Sequence, residues 1–218
     1  MIPRLLHYIW VGPEEIPLRS RIWIEQSAQL CPNYDLRVWR EEDLGPLPPF
    51  AARAYGEKKW AFVSDYMRFK ILRDQGGVYL DTDMQLLRPL DPLMDVPGFS
   101  GWNRSHTYIY CGLIGATPHH PFMKELVKAY DALPAGVYPT SPEMFTRTYL
   151  ASTYQDFVIH PSSFFYPVSA EEKITHSRLG NAFATHHWDE TWRTFVPLRR
   201  FLRHIGVMRI YHAIRGIE

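Results

Sequence analysis

The chain has 218 residues, 46% of them hydrophobic and 22% charged, which is enough apolar material for one ordinary globular domain. Lysine and arginine total 24 against 23 aspartate and glutamate, a formal net charge of +1, so no global field recruits nucleic acid or an acidic partner and any charge-driven function is local. No apolar run approaches the roughly 18 residues of a bilayer-spanning helix, and the opening MIPRLLHYIWVGPEEIP lacks the apolar core and small-residue cleavage site of a signal peptide.

Arg4 to Val11, rich in Ile, Leu and Tyr between Pro3 and the Gly12-Pro13 turn signal, is predicted to be a strand. Leu18 to Leu30 follows as a helix, with Leu18, Ile22, Ile24, Ala28 and Leu30 loosely at helical spacing and Cys31-Pro32-Asn33 as the stop. Asp35 to Trp39 reads as a second strand, and this β-α-β order implies a parallel pair joined by a right-handed crossover. Leu44 to Phe50, LGPLPPF, reads as a loop. Ala61 to Gln75 is the clearest helix, since Phe62, Tyr66, Phe69 and Leu72 recur at steps of three and four and Gly76-Gly77 tolerate a left-handed end. Val78 to Leu80 is then a buried strand.

Gly98 to Trp102 and Cys111 to Ala116 are further predicted strands, the second carrying small residues that permit close approach. Pro121 to Leu133 is a helix with proline at its first position. Thr140 to Tyr149 is another, with Thr140 and Glu143 at capping-box spacing. The expected fold is α/β, a single domain over 1–196 with a mixed, mainly parallel sheet and flanking helices. Residues 197–218, with five arginines and two histidines among Phe201, Leu202, Ile205, Met208, Tyr211 and Ile214, are expected to form a basic amphipathic helix. It would pack on the domain or touch an anionic membrane surface. Cys31 and Cys111, both in apolar neighbourhoods, are expected to be buried thiols, and the protein is placed in the cytoplasm or peripherally at the inner face of a membrane.

The chemistry centres on Asp81-Thr82-Asp83. In extended backbone, residues two apart project to one side, so both carboxylates can face one ligand, and a hard divalent cation suits them. The bare pair carries little weight, because about half an Asp-x-Asp pair is expected by chance with this many aspartates. Its setting carries more: in AFVSDYMRFKILRDQGGVYLDTDMQLLRPLD, residues 61–91, an amphipathic helix is closed by two glycines, runs into a strand and ends in the paired aspartates.

That segment resembles the DXD-motif sugar transferases of glycosyltransferase family 32, which include bacterial capsular-polysaccharide glycosyltransferases and fungal initiating mannosyltransferases, and it is similar to the clostridial glucosylating toxins. IPRLLHYIWVG at the start, CPNYDLRVW at 31–39 and ATHHWDETW at 184–192 agree in order and spacing. The resemblance implies a GT-A fold, a Mn2+ or Mg2+ requirement, and transfer of a hexose from a UDP- or GDP-linked nucleotide-diphospho-sugar, with retention, to a saccharide or lipid-linked glycan. Carried over to this chain, it makes Asp83 the direct metal ligand and Asp81 a residue of both metal and donor. Asp65 and Arg68 would orient donor sugar and diphosphate, and Trp10 would stack on the base. His187 would serve metal or diphosphate, with His186 as its substitute, and Thr191 and Trp192 would seal the pocket. Gly112 and Gly115 would leave the acceptor room. Thr140-Ser141-Pro142 departs from the relatives' Thr-Gly-Pro, so no role is carried over there. Two alternatives stand beside this reading: a toxin-like enzyme that glycosylates protein, and a nucleotide-sugar-binding module without transfer activity.

Overall fold

A computed structural model describes residues 1–154 and 156–189. The chain opens with β1 (Leu5–Ile9), α1 (Leu18–Leu30) and β2 (Asp35–Trp39), and β1 pairs parallel with β2 from Leu5↔Asp35 to Ile9↔Trp39, as the β-α-β reading requires. Two short helices follow, α2 (Glu41–Leu44) and α3 (Pro49–Gly56), then α4 (Trp60–Gln75), β3 (Gly77–Leu80) and β4 (Met84–Leu86). The proline-rich stretch expected to be a loop therefore starts a helix: Pro49 occupies the first turn, where its missing N–H costs nothing. Next come β5 (Gly98–Trp102), β6 (Ile109–Ala116), α5 (Pro121–Asp131), α6 (Ser141–Ala151), β7 (Phe157–His160), α7 (Ser162–Phe165), α8 (His176–Leu179) and β8 (Ala184–His186).

The main sheet has the order β2-β1-β3-β6-β5-β7. β1 lies parallel to both its neighbours and β5 parallel to β7, while β6 runs antiparallel to β3 and β5. This is the mixed, mostly parallel sheet expected. Its two faces are covered differently: Phe50, Val63, Met67, Phe69, Leu126 and Phe145 of the α3–α6 layer fill one side, and Leu6, Tyr8, Ile24, Leu86 and Phe165 fill the other. A separate two-stranded antiparallel ribbon joins β4 to β8, with Met84 opposite His186, Gln85 opposite Thr185 and Leu86 opposite Ala184. Neither strand was anticipated, because three-residue strands have no pattern of their own and exist only through each other. Cys31 and Cys111 are both buried and unpaired.

The glycine pair after α4 aims β3 at the functional edge of the sheet. Gly76 has φ 67° and Gly77 φ 95°, and a Cβ on Gly77 would lie 2.8 Å from the Leu5 carbonyl oxygen. The same corner holds His7, whose two ring nitrogens are both used. Trp39 Nε1–H can only donate, so it fixes Nδ1 as acceptor at 3.2 Å, and Nε2–H then donates to the Gly76 carbonyl at 2.9 Å. Burial pushes the His7 value below the ordinary histidine range, and His120 and His160 are pushed down for the same reason; His186 shifts the other way.

These buried neutral imidazoles set a pH dependence. Below about pH 6.5 the unfolded chain takes up protons at His7, His120 and His160 that the folded chain refuses. The stability they lend is therefore full above that value and is lost as pH falls. The urea midpoint followed by circular dichroism is expected to be lower at pH 5 than at pH 7.5, and Gly77→Ala is expected to cost about 2 kcal/mol or more at either pH because of its left-handed backbone.

Candidate active site

The carboxyl ends of the parallel strands are where open α/β sheets leave a crevice, and here a cavity of about 680 Å³ opens beyond β1 and β3. Trp10, Trp60, Phe62, Tyr108, Tyr110 and Trp188 line it, with Asp65, Arg68, Asp81, Asp83 and His186 among the polar groups. Trp10 follows β1, and its indole Nε1–H donates to the Glu14 carbonyl at 2.6 Å, fixing the ring relative to the loop.

Arg68, on α4 and 5% exposed, is the electrostatic centre. Its Nη2 donates to Asp65 Oδ1 at 2.7 Å, Nη1 to the Cys111 carbonyl at 2.8 Å and Nε to the Ser64 carbonyl at 3.3 Å, while Nη1 also lies 3.2 Å from Asp81 Oδ1. Burial works against this cation, but Asp81, Tyr79 and Asp65 outweigh it and hold it protonated. Asp65 in turn accepts from the Ser141 N–H at 3.2 Å and the Ser141 hydroxyl at 2.6 Å, at the start of α6. Thr140 makes no side-chain capping bond, so the expected capping box is replaced by a carboxylate reaching from α4. Burial pushes Asp65 above the ordinary carboxylate value against the pull of Arg68 and Ser141. The i,i+3 pair is thus buried within a network, not an exposed ion pair.

Asp81 and Asp83 come together by a different route from the one the spacing suggested. They lie past the end of β3 in a turn closed by the Met84 N–H donating to the Asp81 carbonyl at 2.9 Å, so it is the turn and not strand alternation that converges them. Tyr79 Oη donates to Asp81 Oδ1 at 2.6 Å, on the oxygen that Arg68 also approaches. Asp83 Oδ1 meets His186 Nε2 at 2.9 Å, and Asp83 Oδ2 accepts the Asp189 N–H at 2.9 Å. Burial alone would raise Asp83, yet His186 and that N–H bring it below the ordinary value. Asp81, Asp83 and His186 each offer a ligand atom within 4.8 Å of the others. The donor set fits a hard divalent cation that accepts imidazole, and His186 presents Nε2 to Asp83 while its Nδ1 is buried without a hydrogen-bond partner.

His187, the ring preferred for metal or diphosphate, does not join this group; the structure brings His186, its substitute, to the two aspartates. Its ring faces α1: Nε2 lies 2.9 Å from Gln85 Oε1, Nδ1 lies 3.2 Å from Arg19 Nη2, and Trp23 stacks on it with centroids 3.9 Å apart. Burial and Arg19 push it down to about 4. Gly112 lines the cavity wall. A Cβ there would lie 3.1 Å from Asp81 Oδ2 and 3.3 Å from Met84 Sδ, so this glycine makes room for the aspartate. Gly115 lies under the Phe99 ring, where a Cβ would collide with the ring, and serves packing. Thr191, Trp192 and residues 197–218 lie outside the described residues.

Sequence reasoning missed Ser141, Gln85 and Arg19, none of which belongs to a motif; Ser141 had been noted only as a departure. Trp188, part of the matching 184–192 segment, adopts a backbone φ of 55°, and its ring lies 3.9 Å from that of His186 on the cavity wall. Removing the buried cation while leaving its two carboxylates is strongly destabilising. Arg68→Met is therefore expected to lose about 3–5 kcal/mol in chemical denaturation, and Arg68→Met with Asp65→Asn to lose less than the two single losses added.

Residues 17–99 match the family described as "Glycosyltransferase sugar-binding region containing DXD motif". Inositol phosphoceramide mannosyltransferase 1 of Schizosaccharomyces pombe is 23% identical over 206 residues, an alignment covering 88% of this chain and 62% of the relative. The chain thus spans less than two thirds of that relative's length. Among solved structures, PaToxG glycosyltransferase superposes with a TM-score of 0.56 at 17% identity, covering 69% of this chain and 68% of that one. The galactosyltransferase LgtC, in complex with donor and acceptor sugar analogues, gives 0.50 at 11% identity over 93% and 95% of the two chains. The architecture is GT-A-like, and residues 17–99 match the DXD-motif glycosyltransferase region, in line with the likeness expected from residues 61–91.

Proposed function

We propose that this chain is a metal-dependent, retaining hexosyltransferase that takes its sugar from a UDP- or GDP-linked donor and passes it to a glycan or lipid-linked acceptor. The observation that carries the reading is the convergence of Asp81, Asp83 and His186 beside buried Arg68 on the wall of an aromatic-lined cavity. The name of the fission-yeast relative supports a lipid-linked acceptor. The buried free thiols suit a reducing compartment such as the cytoplasm.

Asp81, Asp83 and His186 would hold Mn2+ or Mg2+, which when bound supplies positive charge against the departing diphosphate. The chain's own residues prepare the site. Arg68 and Tyr79 occupy Asp81 Oδ1, so the carboxylate is oriented before any ligand arrives. With its guanidinium engaged by Asp65, Asp81, Cys111 and Ser64, Arg68 works chiefly through Asp81 and by its charge. Asp65 locks α6 to α4 and so fixes the Thr140–Pro142 wall of the cavity. Trp10 offers an aromatic face to the base, and Trp60, Tyr108, Tyr110 and Trp188 exclude water that would otherwise hydrolyse the donor. Asp65, Asp81 and Asp83 are all tied in hydrogen bonds, which favours same-face attack, with the leaving phosphate taking the acceptor proton, over a double displacement through a carboxylate.

A thermal-shift panel of UDP- and GDP-sugars with Mn2+, Mg2+ or EDTA tests the reading. One donor is expected to raise the midpoint only with metal, by the linkage of binding to folding, and the shift is expected to vanish in Asp83→Ala. With that donor and a glycan acceptor, product anomers read by NMR should match the donor's configuration. A panel in which no nucleotide sugar gives a metal-dependent shift contradicts the assignment.

A further inference from the structure

We propose that His187 is a positioning residue: anchored to α1, it holds the end of β8 so that His186 and the Asp83 turn are already arranged as cation ligands. This rests on the reading of Asp81, Asp83 and His186 as the cation site.

Successive residues of a strand project to opposite faces. Beyond its last pair with Met84, β8 continues with one more ladder bond, the His187 N–H donating to the Asp83 carbonyl at 3.0 Å. If His187 faces α1, His186 must face Asp83, so capture of one ring aims the other. The capture is extensive. Arg19 has only donors, so His187 Nδ1 accepts from its Nη2 at 3.2 Å, and Nε2–H is left to donate to Gln85 Oε1 at 2.9 Å. Gln85 Nε2 then donates to Gln26 Oε1 at 3.1 Å, which returns the relay to α1. Trp23, 5% exposed, stacks on the imidazole at 3.9 Å and 21°, and Arg19 lies 4.8 Å over the Trp23 ring.

Every ring nitrogen of His187 thus has a partner, and every partner is on α1 or β4. His186 is the contrast: its Nε2 reaches Asp83 and its Nδ1 is unpartnered. The chemistry divides between two neighbours, one ring saturated by protein and one left with capacity for a cation. The His187 backbone bond also holds the Asp83 carbonyl, so the tether acts on both sides of the site. Groups that orient ligands in this way typically alter metal affinity by 10–100-fold when removed.

The test is Mn2+ affinity, read from the free-ion signal in electron paramagnetic resonance titrations without donor or acceptor. Wild type, His186→Ala, His187→Ala, His187→Gln and Arg19→Met are compared, each checked for an unchanged apo thermal midpoint within a few degrees. His187→Ala is expected to bind about 10-fold or more weakly, with part of the loss restored in His187→Gln, whose amide can still donate to Gln85. Arg19→Met, distant from the ligands and removing one bond of the tether, is expected to weaken binding several-fold and carries the test if His187→Ala does not fold. Wild-type affinity in both Arg19→Met and a folded His187→Ala, while His186→Ala is impaired, overturns the tether and leaves the proposed function standing. A wild-type protein that takes up no Mn2+ overturns both.

Discussion

A guanidinium buried between two carboxylates is the constraint on which the site depends. Arg68 cannot be left without charge partners in a low-dielectric interior, and Asp65 and Asp81 cannot be left without it. Because Arg68 and Asp65 are on α4, Asp81 follows β3, and Ser141 begins α6, satisfying one charge network fixes three segments relative to each other. The network does little for stability compared with well-packed apolar groups, but it has a functional consequence. It commits one oxygen of Asp81 to the protein and leaves the other facing Gly112, at whose Cα no side chain intrudes.

The second constraint is topological. β1 and β3 are parallel neighbours, so the loop holding Trp10 and the turn holding Asp81 and Asp83 emerge on the same side of the sheet. The β4–β8 ribbon then brings His186, more than 100 residues further along, against Asp83. Helix α1 stands behind that ribbon through Trp23, Gln26 and Arg19. The site is therefore assembled from several separate stretches of chain, held by different kinds of force: parallel pairing, a buried ion pair, a short antiparallel ladder and an aromatic stack.

What was readable in the sequence follows from how local its cause is. Helices α1 and α4 and strands β2 and β5 were placed almost to the residue, because apolar spacing, glycine and proline signals within a few positions determine them. Strands β4 and β8 were not, since each is stabilised by the other. The Asp-x-Asp pair was visible, but the reason its carboxylates converge was misread: a turn with an intervening hydrogen bond does the work assigned to strand alternation. For His186 and His187 the sequence offers two adjacent rings, one as the substitute of the other. Which one faces the carboxylates depends on Trp23, Arg19 and Gln85, whose proximity is a property of the fold. Ser141 was noticed only because it departed from a pattern, and its hydroxyl bond to Asp65 needed the packing of α6 on α4.

The central claim is that Asp81, Asp83 and His186 form one cation site with a single imidazole. Electron spin-echo envelope modulation of the Mn2+-loaded protein tests it most directly, since a coordinated imidazole nitrogen modulates the echo and a distant one does not. The account predicts one directly bound histidine nitrogen, lost in His186→Ala and still present in the fraction of His187→Ala that binds Mn2+. Modulation that survives His186→Ala and disappears with His187→Ala, or no nitrogen at all in the wild type, would contradict it.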